Sequence, residues 1–241
     1  MRQFISLGMG LVVACFAASA LAQEEGAVAD AAPAAETSAP ATESAPVTEA
    51  DAAAFDKKIM LGVRTGYSIP MGDAAKDAPL NDGVSGMIPL QLDLGYRVTP
   101  NIVVGGYFQY GFVMVKDCPD GADCSANDLR FGVQGQYHLS PGESINPWFG
   151  VGLGYEILKT KAEAGGIEVT ASSKGMEFLN LQGGADFAVA DGIGVGPFVS
   201  LSLGQFSKAK VEGGGMEMDG DIEDKAMHQW LTIGVRGTFD F

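Results

Sequence analysis

Beyond residue 22 the chain has no run of about 18 apolar residues, the length a membrane-crossing helix needs, yet 46% of it is hydrophobic. The apolar side chains are spread as period-2 alternation, which begins at Lys57 and recurs to Phe241. Eight runs carry it: 58–70, 87–98, 102–115, 128–139, 148–161, 175–189, 194–207 and 227–241. Each has a core of about ten residues, enough for a tilted strand to cross a bilayer. Helices are a poor alternative, because glycine recurs inside nearly every run and would weaken each one.

The connections alternate in length. Three are tight, at Thr99-Pro100-Asn101, from Pro141 to Pro147, and at Ala190-Asp191-Gly192-Ile193. Four are long, at 71–86, 116–127, 162–174 and 208–226. Short turns on one side and long loops on the other predict an all-β protein, an eight-stranded antiparallel up-and-down transmembrane β-barrel over 57–241. An even number of strands returns both termini to the short-turn, periplasmic side.

Ahead of the barrel, Arg2, an apolar stretch from Phe4 to Phe16 and the small-residue ending Ala20-Leu21-Ala22 read as a secretory signal, 1–22. An uncleaved anchor helix and a lipoprotein site at Cys15 are the weaker alternatives. Residues 23–56 are mainly Ala, Glu, Pro, Thr and Ser, with only negative charges. Such a segment buries too little apolar surface to offset its ordering entropy, so it is expected to be a disordered acidic linker. The net charge of −15 leaves no basic stripe for nucleic acid. Cys118 and Cys124 remain as a pair, which suits a disulfide in an oxidising exported compartment.

Alternation also sorts the faces. In the second run Ile88, Leu90, Leu92, Leu94, Tyr96 and Val98 point one way; Gln91, Asp93, Gly95 and Arg97 point the other. A soluble barrel would turn the apolar face inward and a membrane barrel would turn it outward. The polar face mixes glycines with long charged side chains, as a narrow, tightly filled interior requires. Arg64, Arg97, Arg130 and Arg236 therefore face Asp93, Glu156 and Asp186 inside. Unpaired buried charge is costly, so these seven are expected to form one ion-pair network that plugs the lumen. Tyr96, Tyr137, Trp148 and Phe239 fall near the short turns, where an aromatic girdle is expected.

Three phrases carry a family resemblance: Gly62-Val63-Arg64-Thr65-Gly66-Tyr67, Leu92-Asp93-Leu94-Gly95-Tyr96-Arg97, and Gly234 to Phe241. With them the chain resembles small outer-membrane β-barrels of the OmpW-like and OmpX-like kind. The ending, with Val235, Phe239 and a final Phe241, looks like the insertion signal that barrel-assembly machinery reads. The resemblance implies a place among outer-membrane lipids, delivery by periplasmic chaperones and both termini periplasmic. It names no surface partner, since relatives include small-hydrophobe channels, adhesion proteins and structural barrels. The expected role is structural or surface-interacting, through four extracellular loops; the alternative is a narrow channel for small, hydrophobic molecules.

Candidate chemistry is sparse. Asp117, Asp120, Asp123 and Asp128, and again Asp219, Asp221, Glu223 and Asp224, could offer oxygen ligands to Ca²⁺, but without EF-hand spacing they read as solvated acidic loops. His138 and Ser140 superficially resemble the His-x-Ser of outer-membrane lipid A deacylases, yet abut a turn far from an outer-leaflet substrate. His228 lies at the outer end of the last run with no serine pattern beside it. No catalytic residue, metal site or cofactor is expected, and the chain is expected not to be an enzyme.

Overall fold

The computed structural model describes residues 57–119 and 121–241. The expected signal sequence and acidic linker, together with Cys15 and Asp120, lie outside them. Among the described residues ten strands and one short helix follow in order. They are β1 (Ile59–Ala75), β2 (Ala78–Pro79), α1 (Leu80–Gly83), β3 (Val84–Arg97), β4 (Ile102–Val115) and β5 (Asp123–His138). Then come β6 (Ile145–Ala164), β7 (Ile167–Ala190), β8 (Ile193–Gly213), β9 (Met216–Asp221) and β10 (His228–Asp240).

Neighbours in the chain pair antiparallel from β1 and β3 through to β8, and β10 pairs with both β8 and β1. The last ladder runs from Met60↔Asp240 to Gly72↔His228. Eight strands therefore close into a ring, an antiparallel up-and-down β-barrel with no free edge around its wall. Closure is what lets strands cross hydrocarbon, because every backbone N–H and C=O of the wall finds a partner.

The faces sort by alternation. Leu94 is 60% exposed and Val133 58%, whereas the intervening Asp93 and Gln134 are buried. The apolar belt is on the outside, with Ile88, Leu90, Leu92, Phe108, Phe131, Phe149, Leu153, Ile233 and Val235 all exposed. In water this would be an unfavourable surface; against acyl chains it is the expected one.

The tight turns fall where alternation ends, but two of the expected long loops are not irregular. β6 and β7 continue to a two-residue turn at Gly165 and Gly166, and β8 and β9 to one at Gly214 and Gly215. All four glycines have positive φ, between 59° and 81°. Such turns need that backbone region at both central positions and match strand twist, so the hairpins extend beyond the apolar belt. The sequence reading stopped these strands early because polar residues replace the apolar face once the wall leaves lipid.

Candidate functional site: the lumen and its two ends

An eight-stranded barrel encloses space for side chains alone. Every arginine after Arg2 is buried inside it, at 1–4% exposure. Arg64 Nε donates to Asp93 Oδ2 at 2.6 Å, and Arg236 grips Asp186 with two donors, at 3.2 and 2.6 Å. Arg130 Nη2 donates to Glu156 Oε1 at 3.0 Å, while its Nε lies 2.7 Å from Asp128 Oδ2 without hydrogen-bond geometry. Arg97 stands apart at the turn end, where it donates to Asp240, 3.1 Å away, and to the carbonyls of Pro100 and Lys57.

Glutamines connect the central pairs. Gln91 and Gln134 both donate to Asp93 Oδ1, at 2.7 and 3.0 Å. Gln182 donates to Gln134 at 2.9 Å and accepts from Arg64. Arg236 Nη1 reaches Gln136 Oε1 at 2.8 Å. Neutral amides spread hydrogen bonding between charges without adding charge, which a low-dielectric interior favours.

Toward the hairpin end lies an acidic group of which the sequence reading placed only Glu156 in the lumen. Glu156 accepts from Arg130, from Trp230 Nε1 at 3.1 Å and from His228 Nε2 at 2.7 Å. Glu177 accepts from Tyr107 Oη and from Asn180, at 2.9 Å for the latter. Asp128, read from sequence as a loop carboxylate, is fully buried here and not in an acidic loop. Glu177 escaped because β7 carries a bulge: Gly154 pairs Glu177, yet Gly152 pairs Asn180. The extra residue switches the inward parity from odd to even numbers. Glycine makes the space, as at Gly204, where an added Cβ would lie 2.8 Å from His228 Nε2 and 3.1 Å from Glu156 Oε2.

One further expectation is corrected. Trp148 belongs to no girdle; it is 2% exposed, with the guanidinium carbon of Arg236 3.8 Å from the ring centroid. It shares parity with Gly150, Gly152 and Glu156, and parity decides orientation. His138 is buried at the turn end beside Asn146. Asn146 Oδ1 accepts from the Ser140 N–H, so its Nδ2 donates to His138 Nδ1 at 2.9 Å. Tyr96, Tyr137 and Phe239 do face outward near the turns.

At the hairpin end inward side chains turn apolar. Leu80 of α1, Met87, Val113, Leu158, Phe206 and Trp230 pack into one buried cluster, with Ala126 and Ile222 against it. Above it a pocket of about 210 Å³ opens among Leu158, Thr160, Ala171, Val211, Met218 and Ile222. At the opposite end a mouth of about 470 Å³ is lined by Lys57, Arg97, His138, Asp186 and Asp240. Cys118, in the connection after β4, forms a disulfide with Cys124 near the start of β5. Among the described residues no three His, Cys, Asp or Glu side chains are placed to hold a metal ion.

A closed antiparallel ring, oily outside and charged inside, is a transmembrane β-barrel of the outer-membrane type. No protein-family profile and no curated protein matches the chain. Solved structures similar to it include a major outer membrane protein of Thermus thermophilus, at 11% identity and TM-score 0.48, covering 76% of this chain and 99% of that one. Ail, the attachment invasion locus protein of Yersinia pestis, is similar at 13% identity and TM-score 0.42, with coverages of 76% and 99%. The outer membrane protease OmpT of Escherichia coli is similar at 8% identity and TM-score 0.40, with coverages of 76% and 95%. The ring of strand pairs, not these likenesses, establishes the fold. The presence of a protease among them corrects the expectation that the chain is not an enzyme: this barrel class includes enzymes, and the architecture does not decide the question.

Proposed function

We propose that the protein is a sealed barrel of the outer membrane, with a structural or surface-interacting role carried by the hairpin end. One observation carries this reading. The hairpin side of the lumen ends in the apolar cluster of Leu80, Met87, Val113, Leu158, Phe206 and Trp230, directly over the buried Glu156 and Asp128. An ion path would have to cross that apolar layer and then a set of paired charges. The seven residues Arg64, Asp93, Arg97, Arg130, Glu156, Asp186 and Arg236 lie below that layer, three arginines paired with the three acids and Arg97 with Asp240, and that pairing removes the cost of isolated buried charge.

The same reading has Val235, Phe239 and Phe241, all exposed on the outside of the last strand, presented to barrel-assembly machinery after chaperone delivery. Planar-bilayer recording with purified protein tests the seal. Silence is the expected result, and discrete single-channel steps would overturn it. A second reading, a narrow channel for small hydrophobic molecules, is favoured by the largely apolar lining of the 210 Å³ pocket. It predicts faster entry of a small apolar dye into vesicles that hold the protein than into empty ones.

A further inference from the structure

Four buried N–H groups in the turn half of the lumen have no hydrogen-bond partner among the described residues: Arg64 Nη2, Gln136 Nε2, His138 Nε2 and Trp148 Nε1. Their residues are 2–3% exposed, so bulk water does not meet them. All four belong to one neighbourhood. His138 and Trp148 are directly paired across β5 and β6, and the Arg64 guanidinium carbon stands 5.1 Å from the centroid of the Trp148 ring. Arg236 joins Gln136 to the same ring, since it donates to the Gln136 oxygen and lies over Trp148. Neighbouring bonds fix each donor's identity. The Gln136 oxygen is the atom that accepts from Arg236, and His138 Nδ1 accepts from Asn146, so Nε2 carries the imidazole hydrogen.

Only donors are left over here. The hairpin half differs, because its unmatched atoms are of both kinds: the two Asp128 oxygens and Asn180 Oδ1 stand beside Gln109 Nε2, Arg130 Nε and His228 Nδ1. The aspartates of the turn half are engaged, Asp93 by Arg64, Asp186 by Arg236, Asp240 by Arg97 and Asp191 by Lys57. Glu143 stands on the exposed turn. The charges that act on His138 are those of Arg236, Arg97 and Arg64. His138 also lines the mouth of about 470 Å³, so it is approached from the short-turn rim. Buried donors without acceptors are costly. A water would bring two hydrogens that need acceptors of their own, whereas an anion needs donors alone.

We propose that the floor of the turn-side mouth binds a small, singly charged anion of halide size, held by His138 Nε2 and Trp148 Nε1 with Gln136 and Arg64 behind them. Three arginines balance three aspartates in this half, so the anion is held by hydrogen bonds and by the field of the arginines facing His138, with no spare cation of its own. That limits it to one charge, because each further buried charge without a counter-ion is costly. Size follows from the barrel, whose interior leaves little space beyond its side chains. The site is a dead end. The anion enters and leaves by the mouth, and neither the sealed hairpin end nor the direction of insertion bears on it.

Iodide quenching of the full chain folded in detergent tests the site, because Trp148 is one of the chain's two tryptophans and itself a donor to the anion. Ionic strength is held constant with gluconate, which is too large to enter. Part of the emission is expected to fall saturably with iodide and to recover when chloride is added. Quenching that only rises linearly, or that chloride does not relieve, would overturn the site. Trp148→Phe should remove the saturable part; its survival would assign it to Trp230 in the other half, against the proposal. His138→Phe should raise the half-saturating iodide by on the order of tenfold, as for a lost hydrogen bond to a charged group. An unchanged value would defeat the site. Lys116→Gln, on the exposed hairpin side, should change nothing, and an equal loss there would mark a general charge effect and sink the assignment. Heat-shifted electrophoretic mobility scores the folding of each variant, so an unfolded barrel is not read as a lost site. Chloride relief in the unaltered chain decides by itself where a variant does not fold.

Discussion

Arg64 is the cation on which the centre of the lumen depends. Its partner Asp93 accepts otherwise from Gln91 and Gln134, which are neutral. Arg64→Ala would leave a fully buried carboxylate without its paired cation, a change that typically costs about 3–5 kcal/mol. The thermal transition of the folded form in detergent should fall clearly. Arg97→Ala should lower it less, because Asp240 is a quarter exposed and water can replace the lost donor. Equal effects from the two would show that burial does not set the energetics here. At this scale alternation placed all seven lumen charges inside, but it could not say which acid each arginine meets. Arg97 lies at the turn end and takes Asp240, which is not among the three acids of the expected network. Side-chain reach and strand stagger decide such pairings, and neither is written in a period of two.

Among the elements, the barrel strands were legible wherever one face met lipid and the other met the lumen, as in β3 and β10. They were not legible past the lipid, where β6, β7 and β8 run on as polar hairpins and the oily alternation that marks a strand has ended. Bulges are the second blind spot. One extra residue near Phe178 turned Glu177 inward, and one at Ser207 turned Lys208 outward, against the parity of each strand's other half. Deleting Phe178 is therefore a sharp test of the β7 bulge. It would leave one residue between Glu177 and Asn180, opposite the one between Gly154 and Gly152, so the ladder closes without a bulge and Glu177 still faces the lumen. The variant is expected to keep the heat-modifiable folded band after refolding into vesicles, whereas in an unbulged strand the same deletion would turn half of the strand's side chains to the wrong face. Removing Lys161–Thr170 and closing β6 to β7 with a new two-residue turn should also leave folding intact, since that hairpin stands clear of the belt.

For the molecule as a whole, ring closure fixes the relation between ends. The Ile59 amide donates to the Phe241 carbonyl at 3.1 Å and the Phe241 amide returns to Ile59 at 2.8 Å, so the barrel's first and last residues lie side by side on the short-turn rim. Residues 23–56 join the barrel at that rim and contain no lysine or arginine. The hairpin tips at Gly165–Gly166 and Gly214–Gly215 lie at the other end. Short turns belong to the periplasmic side of outer-membrane barrels, which sets an expectation for both ends at once. An epitope inserted between Gly165 and Gly166 should bind antibody on intact cells. The same epitope after Pro40 should bind only once the outer membrane is permeabilised. The reverse pattern would turn the barrel over and leave the apolar cluster of Phe206 and Trp230 guarding the periplasmic mouth.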